Sequence, residues 1–171
     1  MKHIIYFAGG CFWGTQRFFQ LIDGVIKTRV GYANGNLENP DYKTVCTGVT
    51  NAAETVEVIF DTEKIDVEDL VDLYFKIIDP TSLNKQGEDT GTQYRTGIYY
   101  LSDEDKPRIM SVYERIAESY SKPLAVEVLP LENFYDAEDY HQDYLINNPG
   151  GYCHVSQNSF ILARTWKKEK K

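Results

Sequence analysis

The residue best placed for chemistry in this chain is Cys11, because it lies where a short apolar run, residues 3–8, meets a segment with helical spacing of its apolar positions, residues 15–22. Unpaired backbone N–H groups and a partial positive charge at a helix start stabilise a thiolate. The glycines on either side would leave the sulfur accessible. The pattern predicts a nucleophile charged at neutral pH. The alternative is a buried, inert cysteine among core aromatics.

Three other residues could take part in such chemistry. Glu54 lies at the mouth of an alternating segment, residues 55–60, where the simplest interpretation is an exposed strand-end charge. Cys153 follows a glycine- and asparagine-rich segment, residues 147–151. We expect Cys46 to be buried in the core, as free cysteines commonly are.

Composition limits the classes of function. The chain has 171 residues and a formal net charge of −8, which disfavours nucleic acid and anionic membranes as partners. Its length predicts one catalytic domain, residues 1–171, ending in a frayed basic tail, residues 164–171. It shows neither a long apolar segment nor a signal-peptide pattern, so we expect a cytoplasmic protein without a membrane segment. Three widely spaced cysteines predict neither a disulfide framework nor a metal site.

The pattern of apolar residues predicts alternating strands and helices. The predicted strands are residues 3–8, 25–32, 55–60, 97–101 and 125–129. The predicted helices are residues 15–22, 67–78, 103–119 and 137–147. This order favours an α+β two-layer sandwich, a mixed sheet with packed helices. Residues 79–95 form a long polar stretch that favours an ordered functional loop, and the segment after Tyr152 is predicted to be a long coil over the surface.

Several motifs occur together in one order between residues 10 and 153. They are Gly10-Cys11-Phe12-Trp13-Gly14, Gly31-Tyr32, Tyr42 with Val45, Cys46 and Gly48, Ala53-Glu54, Asp79-Pro80-Thr81, Gln86-Gly87 with Asp89, Gly91 and Gln93-Tyr94-Arg95, Tyr140-His141-Gln142, and Asn148-Pro149 with Gly151-Tyr152-Cys153. Together they resemble the peptide methionine sulfoxide reductase A family, which reduces the S epimer of methionine sulfoxide. The resemblance implies repair of oxidised proteins and a ferredoxin-like sandwich fold.

The resemblance assigns the reacting groups. Cys11 would attack the sulfoxide sulfur and become a sulfenic acid, and Glu54 would protonate the sulfoxide oxygen. Cys153 matches the position that resolves the oxidised cysteine in many members. No bound cofactor is implied, only an external thiol reductant such as thioredoxin, glutaredoxin or dithiothreitol. We expect a monomer that accepts oxidised methionine, free or in proteins.

The resemblance also assigns groups that hold the substrate. Tyr42 and Tyr94 would hydrogen-bond the sulfoxide oxygen, because phenols can donate to developing negative charge. Phe12 and Trp13 would hold the methyl group, and Asp89 matches a supporting carboxylate. Without the resemblance, both tyrosines would be packing residues and Asp89 a loop stabiliser.

The chain departs from the family pattern at three points. Ile78 stands where many members have a histidine before Asp-Pro-Thr, and Asn51-Ala52 stands where many have Gly-His. No cysteine follows Cys153, so a relay of three cysteines cannot operate.

Two other functions would also use Cys11: a cysteine hydrolase paired with His141, and a redox-sensing protein that only forms a disulfide. We otherwise expect His141 to satisfy a local hydrogen bond.

Overall fold

The computed structural model describes residues 1–168 of the chain. The strands are β1 (Lys2–Gly9), β2 (Val25–Ala33), β3 (Ala53–Asp61), β4 (Lys85–Gln86), β5 (Asp89–Thr90), β6 (Thr96–Tyr100), β7 (Glu127–Pro130) and β8 (Phe134–Asp136). The α-helices are α1 (Phe12–Gln20), α2 (Tyr42–Cys46), α3 (Val67–Phe75), α4 (Asp105–Ala117), α5 (Tyr144–Asn147) and α6 (Gln157–Thr165). Two 3₁₀ helices cover Thr92–Tyr94 and Asp139–His141.

Six of these strands form one mixed sheet in the order β7-β6-β1-β3-β2-β8, and β4 and β5 form a separate small hairpin. All neighbours in the large sheet are antiparallel except β6 and β7. Successive side chains of a strand point to opposite faces. On β1, Ile5 and Phe7 therefore join the main core, while Tyr6 and Ala8 belong to a smaller cluster on the other face.

Helix α1 packs against β1, β2 and β3, and α3 packs against α4. The apolar face of α1 contributes Phe18 and Phe19 to the main core, and the ring of Phe19 stacks on Phe7 at 4.7 Å. At the start of α3, Asp66 and Asp69 form a capping box, as the position of Asp66 in the sequence indicates. This packing fixes the start of α1 over the ends of the central strands.

The α+β architecture, a mixed sheet with packed helices, is confirmed. The predicted helix over residues 137–147 is wrong: the structure has a 3₁₀ turn, Asp139–His141, and the short α5. Asp143 separates them with a left-handed backbone, φ 54°. Its backbone N–H donates to Gln16 Oε1 at 2.9 Å rather than to a helix carbonyl. A tertiary hydrogen bond thus replaces the local helix here.

The predicted C-terminal coil is also wrong, because α6 occupies residues 157–165. Ser156 caps this helix by accepting a hydrogen bond from the Ser159 N–H, and Phe160 and Ala163 are buried. The predicted frayed tail begins inside α6, and Lys168 pairs with Asp66 at 2.6 Å. The remainder of that tail, residues 169–171, lies outside the described residues.

Over residues 1–168, no helix combines the length and apolar character required to cross a membrane.

Candidate active site

Cys11 occupies the N-cap position of α1, at the point where the chain leaves β1. Gly10 makes this sharp turn with φ +85°, a conformation that favours glycine, and a Cβ there would lie 2.7 Å from the side chain of Gln86. The Gln86 amide in turn accepts from the Asp79 N–H at 2.8 Å and so fixes the loop that covers the turn. Cys11 itself is only 7% exposed.

Glu54 lies directly beneath the start of α1, on the helix-covered face of β3. The backbone N–H of Phe12 donates to Glu54 Oε1 at 3.3 Å. The second oxygen, Oε2, is buried and has no hydrogen-bond partner among residues 1–168, and the residue is 1% exposed. The expectation of an exposed strand-end charge therefore does not hold. A buried carboxyl with one free oxygen faces the cavity beside the thiol.

Burial controls the ionisation of both groups. Burial raises the pKa of Glu54 to about 8, with the Phe12 N–H opposing the rise and the Asp89 charge adding to it. Burial also raises the pKa of the Cys11 thiol well above its usual range, and the nearby Glu54 adds to that rise. The Trp13 N–H at the helix start opposes the rise but does not cancel it. At neutral pH both groups are therefore protonated, and the predicted resting thiolate at Cys11 is wrong.

The thiol and the carboxyl share a cavity of about 80 Å³, enough for a few atoms beyond a water molecule. Its walls come from the start of α1, from α2, β3 and β5, from the 3₁₀ turn before β6 and from the segment after α5. They are formed by Cys11, Phe12, Trp13, Tyr42, Glu54, Asp89, Tyr94 and Tyr152. The structure thus brings together seven of the eight residues singled out in the sequence. Its small volume suits a methyl group with a polar atom beside it.

Two tyrosines contribute phenols to this cavity from separate elements. Tyr42 begins α2, where its N–H donates to Glu138 Oε2 at 3.1 Å, and Tyr94 ends a 3₁₀ turn. Burial raises the pKa of both Tyr42 and Tyr94 above the ordinary range, so each phenol keeps its proton. Both protonated side chains line the cavity that also contains the Glu54 carboxyl.

The aromatic wall is held by contacts outside the cavity. The Trp13 ring stacks on Tyr144 at 3.7 Å, and its Nε1–H donates to His141 Nδ1 at 3.0 Å. Since Nδ1 accepts this hydrogen bond, His141 is the tautomer protonated on Nε2, and burial lowers its pKa. The sequence did not assign this contact, although His141 was expected to satisfy a hydrogen bond. A cysteine hydrolase would need a hydrogen bond between His141 and Cys11. Within residues 1–168 His141 is hydrogen-bonded to Trp13 and not to Cys11.

Tyr152 is a cavity residue that the analysis of the sequence did not select. Its hydroxyl donates to Asp89 Oδ2 at 2.8 Å, so the two side chains close one side of the cavity together. Tyr152 lies next to Cys153, and its place in the motif was the only signal available. The pair connects the β4–β5 hairpin to the segment that carries the second cysteine.

Cys153 does not line the cavity but packs on the first turn of α1. A Cβ on Gly14 would lie 2.9 Å from Cys153 Sγ, so Gly14 provides the space in which this sulfur sits. The next residue, His154, binds the Gly9 carbonyl through Nε2 at 2.8 Å and holds the segment against the end of β1. Positions 11 and 14 share a helix face. Cys153 therefore lies beside the helix turn that begins at Cys11.

Cys46 is exposed at the end of α2, so its predicted place in the core is wrong. Helix α2 has only five residues, and Val45 is the one it buries. All three cysteines are free thiols. Among residues 1–168 no group of three or more His, Cys, Asp or Glu side chains is close enough to hold a metal ion.

Comparisons with known proteins agree with this geometry. Residues 3–171 match the sequence profile of a family described as peptide methionine sulfoxide reductase. The chain is 54% identical over 155 residues to the peptide methionine sulfoxide reductase MsrA of Clostridium acetobutylicum, an alignment covering 91% of this chain and 95% of that protein.

Solved structures are similar as well. The reduced form of Mxr1 from Saccharomyces cerevisiae superposes with a TM-score of 0.86 at 39% identity, covering 91% of each chain. The same yeast protein has been solved in complex with Trx2, and that structure gives a TM-score of 0.61 at 29% identity, covering 84% of each chain.

Proposed function

The chain belongs to the peptide methionine sulfoxide reductase family of oxidoreductases, and we propose that it reduces the S epimer of methionine sulfoxide in the cavity beside Cys11. The observation that carries the assignment of roles is the free oxygen of Glu54, buried and protonated at neutral pH, in the same cavity as the thiol. A sulfoxide oxygen is a poor leaving group until it is protonated. Glu54 is the acid placed to supply that proton.

The proton inventory of the resting site suits this reaction. Cys11 and Glu54 each hold one proton, because burial raises the pKa of both groups. Glu54 gives its proton to the sulfoxide oxygen and, now a carboxylate, accepts the thiol proton as the Cys11 sulfur attacks. The oxygen then passes to Cys11, which becomes a sulfenic acid as methionine leaves. Proton exchange thus creates the nucleophile only when substrate is present, so a resting thiolate is not required.

The remaining walls position the substrate. The phenols of Tyr42 and Tyr94 donate hydrogen bonds to the sulfoxide oxygen, which carries partial negative charge in the bound substrate before Glu54 protonates it. Phe12 and Trp13 contact the methyl group, and the stacking of Trp13 on Tyr144 keeps that wall rigid. Asp89 acts through Tyr152, because its carboxylate accepts a hydrogen bond from the Tyr152 hydroxyl. The two side chains together keep one side of the cavity closed.

Regeneration requires a second thiol. The Cys153 sulfur attacks the sulfenic sulfur of Cys11, forms a disulfide and releases water. An external dithiol then reduces this bond by two successive exchanges and is itself oxidised to a disulfide. The contact of Cys153 with Gly14, one turn from Cys11, supports this role. We propose thioredoxin as the dithiol, which the solved complex of Mxr1 with Trx2 supports.

The proposed roles separate in single- and multiple-turnover experiments with free S-methionine sulfoxide. Without reductant, wild type should form one methionine per enzyme and a Cys11–Cys153 disulfide. Cys153→Ser should still form one methionine but lose thioredoxin-driven turnover, while Cys11→Ser should form none. Cys46→Ser is the matched control, because that thiol lies outside the cavity.

Two results would contradict these roles. Methionine formation by Cys11→Ser would remove Cys11 as the nucleophile. Full thioredoxin-driven turnover by Cys153→Ser would remove Cys153 from the cycle. A hydrolase or a protein that only senses redox state would form no methionine in any of the four proteins.

The proposal extends to the fold class and to domain organisation. The central strands have the order β6-β1-β3-β2, with α1 joining β1 to β2 and α3 lying between β3 and β6. This arrangement supports the ferredoxin-like grouping that the resemblance implies. The six-stranded sheet, which runs from β1 to β8, supports one catalytic domain over residues 1–171.

A further inference from the structure

Cys153 lines a groove that is separate from the cavity of Cys11 and has a volume of about 400 Å³, the size of pockets that hold small organic molecules. The groove lies between α1, α5 and α6. Its lining includes Arg17, Leu145, Pro149, Cys153, Phe160 and Arg164. The Cys153 sulfur, which would form the disulfide with Cys11, is therefore accessible from this groove. Cys11, in contrast, is enclosed by its own cavity.

The charge of this groove is opposite to that of the chain. The protein carries a net charge of −8, yet two arginines and no carboxylate line the groove. The other four arginines each pair with a carboxylate, and they are Arg29, Arg95, Arg108 and Arg115. Within residues 1–168, Arg17 and Arg164 have no such partner. Two uncompensated guanidinium groups beside a thiol indicate a ligand that brings its own negative charge.

We infer that this groove binds a low-molecular-weight thiol bearing carboxylates, and that such a thiol reduces the enzyme at Cys153. The inference rests on the proposed function, because it requires the Cys11–Cys153 disulfide. The thiolate of the ligand attacks Cys153 Sγ, a new sulfur–sulfur bond forms, and Cys11 leaves as a thiolate that takes up a proton. A second molecule of the thiol attacks the mixed disulfide, releasing Cys153 and the oxidised ligand. Each cycle consumes two thiols.

Arg17 and Arg164 also have a structural explanation, which the experiment must separate from binding. Both lie in the last turn of a helix, α1 and α6 respectively, where a positive charge complements the helix dipole. A dipole role would change stability and would affect all reductants alike. A binding role would change the rate only with anionic thiols.

The test follows reduction of the preformed disulfide by two thiols that differ in charge, mercaptosuccinate and uncharged 2-mercaptoethanol. We expect Arg17→Gln and Arg164→Gln each to lower the ratio of the two second-order rate constants about threefold, and the double variant about tenfold. Added salt should lower the ratio for wild type and leave it nearly constant for the double variant. Arg115→Gln is the control, because that arginine pairs with Asp72 on another surface.

Two outcomes would overturn the inference. The ratio could stay unchanged in the double variant, either because neither thiol loses rate or because both lose rate equally, as a structural role predicts. Alternatively, the variants could slow thioredoxin while mercaptosuccinate is unaffected, and the groove would then be a protein-docking surface. Failure of the proposed function is distinguishable, because wild type would then form no methionine or no disulfide before any thiol is added.

Discussion

Strand β3 carries two buried glutamates on opposite faces of the sheet, and they have opposite ionisation states. Glu54 is 1% exposed and Glu57 is 4% exposed, so the two are buried almost equally. Burial raises the pKa of Glu54 to about 8. Burial also acts to raise the pKa of Glu57, but hydrogen bonds from Arg29 and Tyr6 outweigh it and the pKa falls below the usual range.

The difference lies in the partners of each carboxylate. Arg29 binds Glu57 through two nitrogens at 2.8 Å, and Tyr6 donates to the same carboxylate at 2.7 Å. Arg29 also pairs with Asp136 and lies 5.4 Å from the ring of Phe134. Glu54 has a single backbone N–H and one free oxygen. One face of the sheet therefore holds a structural anion, and the other holds an acid ready to lose its proton.

The largest expected effect comes from exchanging each glutamate for its neutral isostere. Glu54→Gln should slow single-turnover methionine formation by about 10²–10⁴-fold, because the proton donor is lost. Its folding should be intact, since glutamine resembles the protonated acid. Glu57→Gln should change the rate less than about threefold but lower the free energy of unfolding by about 2 kcal/mol. That cost stays below the value for a fully buried broken pair, because Arg29 is partly exposed.

Rapid-quench assays and urea denaturation of both variants measure this contrast. The wild-type rate should also decline above about pH 8, where Glu54 loses its proton, and Glu54→Gln should lack that decline. A Glu54→Gln enzyme within threefold of the wild-type rate would show that Glu54 is not the acid. Equal losses of rate in both variants would mean that the two faces do not differ in function.

A second effect is expected in the pH dependence of stability. The folded-state pKa of Glu54 is raised, so between about pH 4.3 and 8 the unfolded chain releases a proton that the folded protein retains. Stability is lost as pH rises through this window, by about 1.4 kcal/mol per pH unit. Glu54→Gln abolishes the loss, so its advantage over wild type should grow toward pH 8 and then level off.

Glu57 should behave in the opposite way. Its folded-state pKa is lowered, so its contribution is fully present above about pH 4.3 and is lost as pH falls through the folded-state value. Wild type and Glu57→Gln should therefore converge in acid. Urea denaturation from pH 3 to 9 tests both signs in one series. An advantage of Glu54→Gln that is constant with pH would indicate a packing effect and not a titrating carboxyl.

The positions of the elements that form the site were predicted from the sequence more accurately than the charges of the site residues. The glycine-flanked turn at Cys11 and the strand at Glu54 are local patterns, and both lie where expected. The charge on Cys11 was predicted wrongly, because the helix start is visible in the sequence whereas the depth of burial depends on the loop around Gln86. Only the family resemblance, and not the residue pattern, suggested that Glu54 carries a proton.

Contacts between distant segments explain the other errors. The alternation of β3 places Glu57 on what looks like a solvent face, yet Tyr6 of β1 and Arg29 of β2 bind its carboxylate. The helix expected over residues 137–147 is interrupted because Asp143 binds Gln16, which is 127 positions away. Periodicity indicates which residues are apolar along one element, but it contains no information on which polar partner another element supplies.

The smallest effect should come from the hydrogen bond of Tyr6, which tests what keeps Glu57 ionised. Tyr6→Phe removes one donor from the carboxylate while Arg29 remains, so the free energy of unfolding should fall by about 1 kcal/mol at pH 7. Because the lost donor favours the charged form, the deficit should shrink in acid, as pH falls through the lowered pKa of Glu57. Tyr113→Phe is a control of the same chemistry, since that hydroxyl makes only a 3.5 Å contact with a carbonyl. A deficit that persists unchanged into acid would mean that Tyr6 stabilises the fold through packing, leaving Arg29 alone to distinguish Glu57 from Glu54.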